Sequence, residues 1–186
     1  MTTILGLAGS LRRASYNAGL LRAVQAIAPQ GVTLEIGQIR DVPLYDADAE
    51  AAGGIPPAVA ALTDQLARAD GLLLVSPEYN SGIPGVMKNV LDWMSRGPGQ
   101  ALFQGKPVAV IGASPGHFGT THAQSHWLPV LRSLNTRPWF EGRLTVSKAG
   151  GLFDDEGNLT DPETRGKLSG FVAGFAASLT PKPAAP

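Results

Sequence analysis

The stretch from Gly71 to Met94, GLLLVSPEYNSGIPGVMKNVLDWM, decides how the rest of the chain is read. Gly71 to Val75 is apolar without alternation. That is the pattern of a strand covered on both faces, as in the middle of a parallel sheet. Val86 to Met94 reads as a helix. Between them, Ser76 to Gly85 is a loop stiffened at both ends by Pro77 and Pro84, while Gly82 and Gly85 allow close backbone approach.

The same alternation continues in both directions. Upstream come a strand from Thr3 to Ala8, a helix from Asn17 to Ile27, a strand from Val32 to Ile36 and a helix from Pro56 to Ala69. Downstream come a strand from Val108 to Gly112, a helix from Thr121 to Leu134, a strand somewhere between Thr136 and Val146, and a helix from Pro162 to Leu179. A strand–helix rhythm of this kind predicts an α/β fold with a parallel sheet covered on both faces. Right-handed crossovers and five strands favour the doubly wound order 2-1-3-4-5. Residues 1–180 are expected to form one domain, followed by a flexible Pro/Ala-rich tail over 181–186. Arg40 to Gly54 reads as a long polar loop that lines a site or contacts a partner.

Composition narrows the function. The 186 residues carry 15 basic and 15 acidic side chains, and the densest positive cluster is only Arg12-Arg13. A nucleic-acid partner is therefore not expected. With no cysteine in the chain, disulfides, thiolate catalysis and iron–sulfur ligation are excluded, so redox chemistry needs a bound cofactor. No apolar run approaches a membrane span. Met1 to Gly9 lacks the basic start and cleavage site of a signal peptide, so the expected location is the cytoplasm.

In an open parallel sheet, ligands bind beyond the carboxyl ends of the strands, near the switch in strand order. Three loops leave those ends. The first, Gly9 to Asn17, offers Ser10, Ser15 and Asn17 as donors, Arg12 as one charge, and the free N–H groups of the next helix. A phosphate monoester needs such a set; an ordinary turn with Ser15 or Asn17 as helix cap is the alternative. Neither a Walker loop nor G-x-G-x-x-G is present. The second loop, Ser76 to Gly85, is rigid enough to hydrogen-bond the edge of a planar heterocycle, with Glu78 and Asn80 pointing to more than a structural turn. The third loop contains Gly112-Ala113-Ser114-Pro115-Gly116, which matches G-x-S-x-G. A hydrolase elbow is disfavoured because Pro115 has no N–H for an oxyanion hole and no histidine follows His126. His117, His122 and His126 cluster at the fourth helix, but without a nearby carboxylate as third metal ligand. They read as polar residues at an interface or pocket rim.

Taken together, GSLRRASYN (Gly9–Asn17), SPEYNSGIPGVMKNVLDWMSR (Ser76–Arg96), GASPGHFG (Gly112–Gly119) and LFDDEGNLTD (Leu152–Asp161) resemble the NADPH-dependent FMN reductase family, in particular its quinone, chromate and azo-compound reductase branch. The resemblance implies a flavodoxin-like fold and non-covalent FMN, with NADPH or NADH as co-substrate. It implies phosphate contacts from Ser10, Arg12, Ser15 and Asn17. Pro77, Glu78, Tyr79 and Asn80 would line the isoalloxazine ring, with Ser114 and Gly116 beside it. It further implies a homodimer or homotetramer, with Asp92 and Trp93 at or near the interface, and a small-molecule electron acceptor. No catalytic acid or base is expected; Tyr79 and Asn80 are the candidates for tuning and stacking on the flavin. The rival expectation is an electron carrier or flavin-binding regulator of the same fold without NAD(P)H activity. One departure stands out: family members often carry Gly-Gly and then Arg where this chain has Gly119-Thr120-Thr121-His122.

Overall fold

A computed structural model describes residues 1–179; the expected tail over 181–186 lies outside them. The elements run β1 (Thr2–Ala8), α1 (Tyr16–Ile27), β2 (Val32–Ile36), α2 (Ala47–Gly53), α3 (Pro57–Arg68), β3 (Gly71–Val75), α4 (Gly85–Met94), α5 (Gly99–Phe103), β4 (Pro107–Ala113), α6 (Thr121–Ser133), β5 (Arg137–Pro138), β6 (Leu144–Val146), a 3-10 turn (Ala149–Gly151) and α7 (Pro162–Leu179). The strand order is β2-β1-β3-β4-β5, with β6 also paired to β4, and every pairing is parallel. The 2-1-3-4-5 order is therefore present.

The unbroken apolar run of β3 follows from its place. Leu73 and Val75 point into a core shared with α1 and α7, while Leu72 and Leu74 point into a second core under α3, α4 and α6. Because side chains alternate between sheet faces, a central strand must be apolar at every position. Full burial of such a side chain contributes roughly 1.5–3 kcal/mol.

Two local features differ from expectation. The fifth strand is split, because residues 139–143 leave the sheet. The Trp139 ring packs against Phe171 and Phe175 at 5.0 and 5.6 Å between centroids. β5 and β6 then share one place beside β4, pairing with its start and its end. The stretch read as a polar loop, Arg40 to Gly54, holds α2 over Ala47–Gly53. Asp46 caps it by accepting from the Asp48 N–H, Asp48 and Glu50 sit in its first turn, and Gly54 ends it at φ 73°. None of its residues is buried, so no apolar stripe marked it. Within α4, Trp93 is buried and its indole N–H donates to the Pro43 carbonyl at 3.0 Å, while the Asp92 side chain on the same helix is partly exposed.

Candidate functional site

The three loops leave the sheet from adjacent strands and are joined to one another by the chain itself. The Gly9 N–H donates to the Val75 carbonyl, Ser76 to Ile111, and Ser114 to Val146, at 2.8–2.9 Å, so the parallel ladder continues into each loop. At Gly9 a Cβ would come within 2.8 Å of Pro84 and 3.0 Å of Pro77. Only glycine lets the first loop lie against both prolines of the second. At Gly112 a Cβ would meet the Ser76 carbonyl oxygen at 1.9 Å, which sets the second and third loops side by side.

The first loop ends in a capped helix. The buried Ser15 hydroxyl accepts from the Ala18 N–H at 3.2 Å, so its own proton is free to donate outward. The main-chain N–H groups of Tyr16 and Asn17, one step earlier, have no intrahelical acceptor. Ser10 Oγ accepts weakly from the Arg12 N–H at 3.4 Å, and the Arg12 guanidinium lies over the Tyr16 ring at 5.4 Å. Ser10, Arg12 and Ser15 thus gather at the N-terminus of α1. The Asn17 side chain does something else. Its amide donates to the Ala113 carbonyl and accepts from the Ala113 N–H, both at 2.9 Å and buried. It pins the first loop to the third, and its second amide N–H and its main-chain N–H remain as donors for an anion.

In the second loop, Pro77 is buried and Tyr79 is half exposed. Tyr79 and Gly82 exchange two main-chain bonds of 3.1 and 2.9 Å around Asn80 and Ser81, whose φ values are +50° and +59°. This is the primed two-residue turn that asparagine tolerates well. It lifts Tyr79 and Asn80 clear of the sheet. Glu78 faces the other way. Its Oε2 accepts from the N–H groups of His122 and Ala123 at 2.9 and 3.0 Å, and its Oε1 lies 3.3 Å from His122 Nδ1. Thr120 makes no side-chain cap of its own. Glu78 therefore serves as the anionic cap of α6 from a distant loop.

The third loop is held by main-chain bonds of 3.1 Å from Lys148 to the Gly116 carbonyl and from Ala149 to the Ser114 carbonyl. Ser114 Oγ accepts from the Gly116 N–H at 3.2 Å and not from any histidine. Gly116 is exposed. Sequence reading missed the pairing of Ser76 with Trp127. The Ser76 hydroxyl accepts from the buried Trp127 indole at 2.9 Å and donates to the Pro77 carbonyl at 3.0 Å, tying α6 to the end of β3. No local signal marks that pair, because its members lie 51 residues apart.

The donor set fits a flavin mononucleotide. At one end stand two hydroxyls, a guanidinium and a helix N-terminus. The sole carboxylate on the three loops, Glu78, is committed to α6, so nothing there repels an anion. At the other end is a stiff, glycine-containing surface that a flat ring can approach. Among the described residues no group of His, Asp or Glu side chains could hold a metal ion.

Comparison with known proteins agrees with this geometry. The family model for NADPH-dependent FMN reductases matches residues 2–151. An NAD(P)H-dependent FMN reductase of Pseudomonas aeruginosa is 43% identical over 162 residues, covering 87% of this chain and 86% of that protein. A 2-hydroxy-1,4-benzoquinone reductase of a Burkholderia species is 40% identical over 169 residues, with 91% of each chain covered. Among solved structures, the flavoenzyme NAD(P)H:(acceptor) oxidoreductase FerB of Paracoccus denitrificans superposes with a TM-score of 0.84 at 33% identity, covering 96% of this chain and 97% of that one. With the matched residues taking in all three rim loops, the chain belongs to the NADPH-dependent FMN reductase family.

Proposed function

We propose that the chain is an FMN-dependent NAD(P)H oxidoreductase that passes two electrons to quinones or other small acceptors such as azo compounds, chromate or free flavin. The observation that carries this reading is the direct linkage of three donor-bearing loops at one end of the sheet: Gly9 against Pro77 and Pro84, Asn17 bonded to Ala113, and Gly112 against Ser76. The rim so formed holds no nucleophile paired with a base: the Ser114 hydroxyl bonds the Gly116 N–H and no histidine.

When bound, FMN supplies the two-electron chemistry between nicotinamide and acceptor. The residues of the chain bind and orient. Ser10, Arg12, Ser15 and the first turn of α1 hold the phosphate. Pro77, Tyr79 and Asn80 present a rigid edge to the ring, Glu78 fixes that loop to α6, and Ser114 and Gly116 lie alongside. Exposure of Tyr79 leaves the site open, so donor and acceptor use it in turn. The exposed apolar side chains Phe118, Leu128 and Phe140 support a homodimer or homotetramer. Among the described residues no helix is long and apolar enough to cross a membrane, and our reading places the enzyme in the cytoplasm as a single domain.

The test is steady-state oxidation of NADPH and NADH by the purified, FMN-loaded protein with p-benzoquinone. Turnover with parallel double-reciprocal lines is expected, the pattern of two substrates sharing one site in succession. A yellow protein that oxidises neither nucleotide would leave an electron carrier instead.

A further inference from the structure

Reduction of a quinone to its hydroquinone takes two electrons and two protons. A hydride delivers both electrons and one proton. The second proton must reach a quinone oxygen from elsewhere, and the three rim loops carry no free carboxylic acid to give it. Histidine is the side chain best suited to hand over a proton and take it back, and three stand by this rim, His117, His122 and His126. His122, one residue into α6, is the one held in place. Glu78 Oε1 lies 3.3 Å from its Nδ1, Phe118 lies against its ring at 5.9 Å between centroids, and its side chain is half exposed.

We propose that His122, oriented by Glu78, is the proton donor to the acceptor in this enzyme. The inference rests on the flavoenzyme reading above. A carboxylate at Nδ1 fixes the ring so that Nδ1–H faces Glu78 and Nε2 faces away from it. As hydride arrives, the Nε2–H bond breaks, an O–H bond forms at the quinone oxygen, and a neutral imidazole remains. Exposure lets that imidazole regain its proton from water.

The neighbours of His122 give it a specific electrostatic setting. Glu78 on the second loop is the carboxylate that faces it. His117 reaches it only through the Phe118 ring, with 5.4 Å between the His117 and Phe118 centroids. His126 is one turn further along α6, with its Nδ1 3.9 Å from where a Gly82 Cβ would sit. Arg143 bonds to the adjacent Thr121 hydroxyl at 3.4 Å. A permanent cation such as arginine at position 122 would keep the contact to Glu78 but could not give up a proton. Histidine here adds proton donation to the capping arrangement.

The test compares two acceptors. Benzoquinone needs the proton; ferricyanide takes electrons alone. In His122→Gln and His122→Arg the ratio of quinone to ferricyanide turnover is expected to fall about tenfold to a hundredfold. His122→Arg guards against a simple loss of the contact to Glu78. In the wild-type protein the falling alkaline limb of quinone turnover should coincide with the titration of the His122 ring followed by NMR, and both variants should lose that limb. A wild-type ratio and an unchanged limb in both variants overturn the proton donor while the enzyme reading stands. Absence of NAD(P)H turnover with either acceptor in the wild type overturns both.

Discussion

Replacing Gly112 with alanine is expected to lower stability by about 3 kcal/mol, near the upper end of what overpacking costs, and to abolish retention of FMN. The added Cβ would stand 1.9 Å from the Ser76 carbonyl oxygen and 2.9 Å from Thr120 Oγ1. The first of these is main chain, so no rotamer change relieves it. β3 and β4 would have to separate where Ser76 donates to Ile111, and the second and third loops would part with them. Urea unfolding gives the stability change, with an unchanged m-value if only the native state suffers. Gly85→Ala is the control. A Cβ there meets nothing within 4 Å, and the residue opens α4. Its effect on stability should stay within about 1 kcal/mol and favour the variant.

Asn17→Ala is the second large effect. The substitution strips the Ala113 N–H and carbonyl of buried partners, both now at 2.9 Å. Each orphaned group costs about 1–3 kcal/mol, so a loss of roughly 3 kcal/mol is expected. FMN affinity should fall at least about tenfold as the first and third loops lose their tie. Asn17→Asp separates the tie from bulk. Its carboxylate can accept from the Ala113 N–H but sets a second oxygen against the Ala113 carbonyl. Burial and that opposing oxygen raise the folded-state pKa of the new carboxyl above its unfolded value. The variant is then least stable relative to wild type at neutral pH, and the deficit shrinks as pH falls through the raised pKa. A pH-independent deficit equal to that of the alanine variant would show that the Asn17 amide does not hold the loops together.

How far the sequence carried this picture depends on whether a feature is local. The β3 run could be read directly, because a strand covered on both faces has no polar position to spare. Ser15 was legible as one of two candidate helix caps, since the cap and the Ala18 N–H that donates to it are three residues apart. The split of the fifth strand was not. It follows from Trp139 docking on Phe171 and Phe175, and nothing near Pro138 announces a partner more than thirty residues away. The same distance problem hid the bridging bonds of Asn17 and Glu78. Both were read as facing the ligand from their position in donor-rich loops. Their side chains also bridge to residues 96 and 44–45 positions away. Loop composition marks where a site lies; the division between groups that touch a ligand and groups that hold the loops is settled by tertiary contacts.

The claim beneath all of this is that the N-terminus of α1, with Ser10, Arg12 and Ser15, grips a phosphate while the later loops carry the ring. Titration of the apoprotein with FMN and with riboflavin, followed by quenching of flavin fluorescence, tests it most directly, because the two ligands differ only in the phosphate. The account predicts one FMN per chain and riboflavin binding at least about a hundredfold weaker, the loss of several charge-assisted hydrogen bonds. Equal affinity for the two would contradict it.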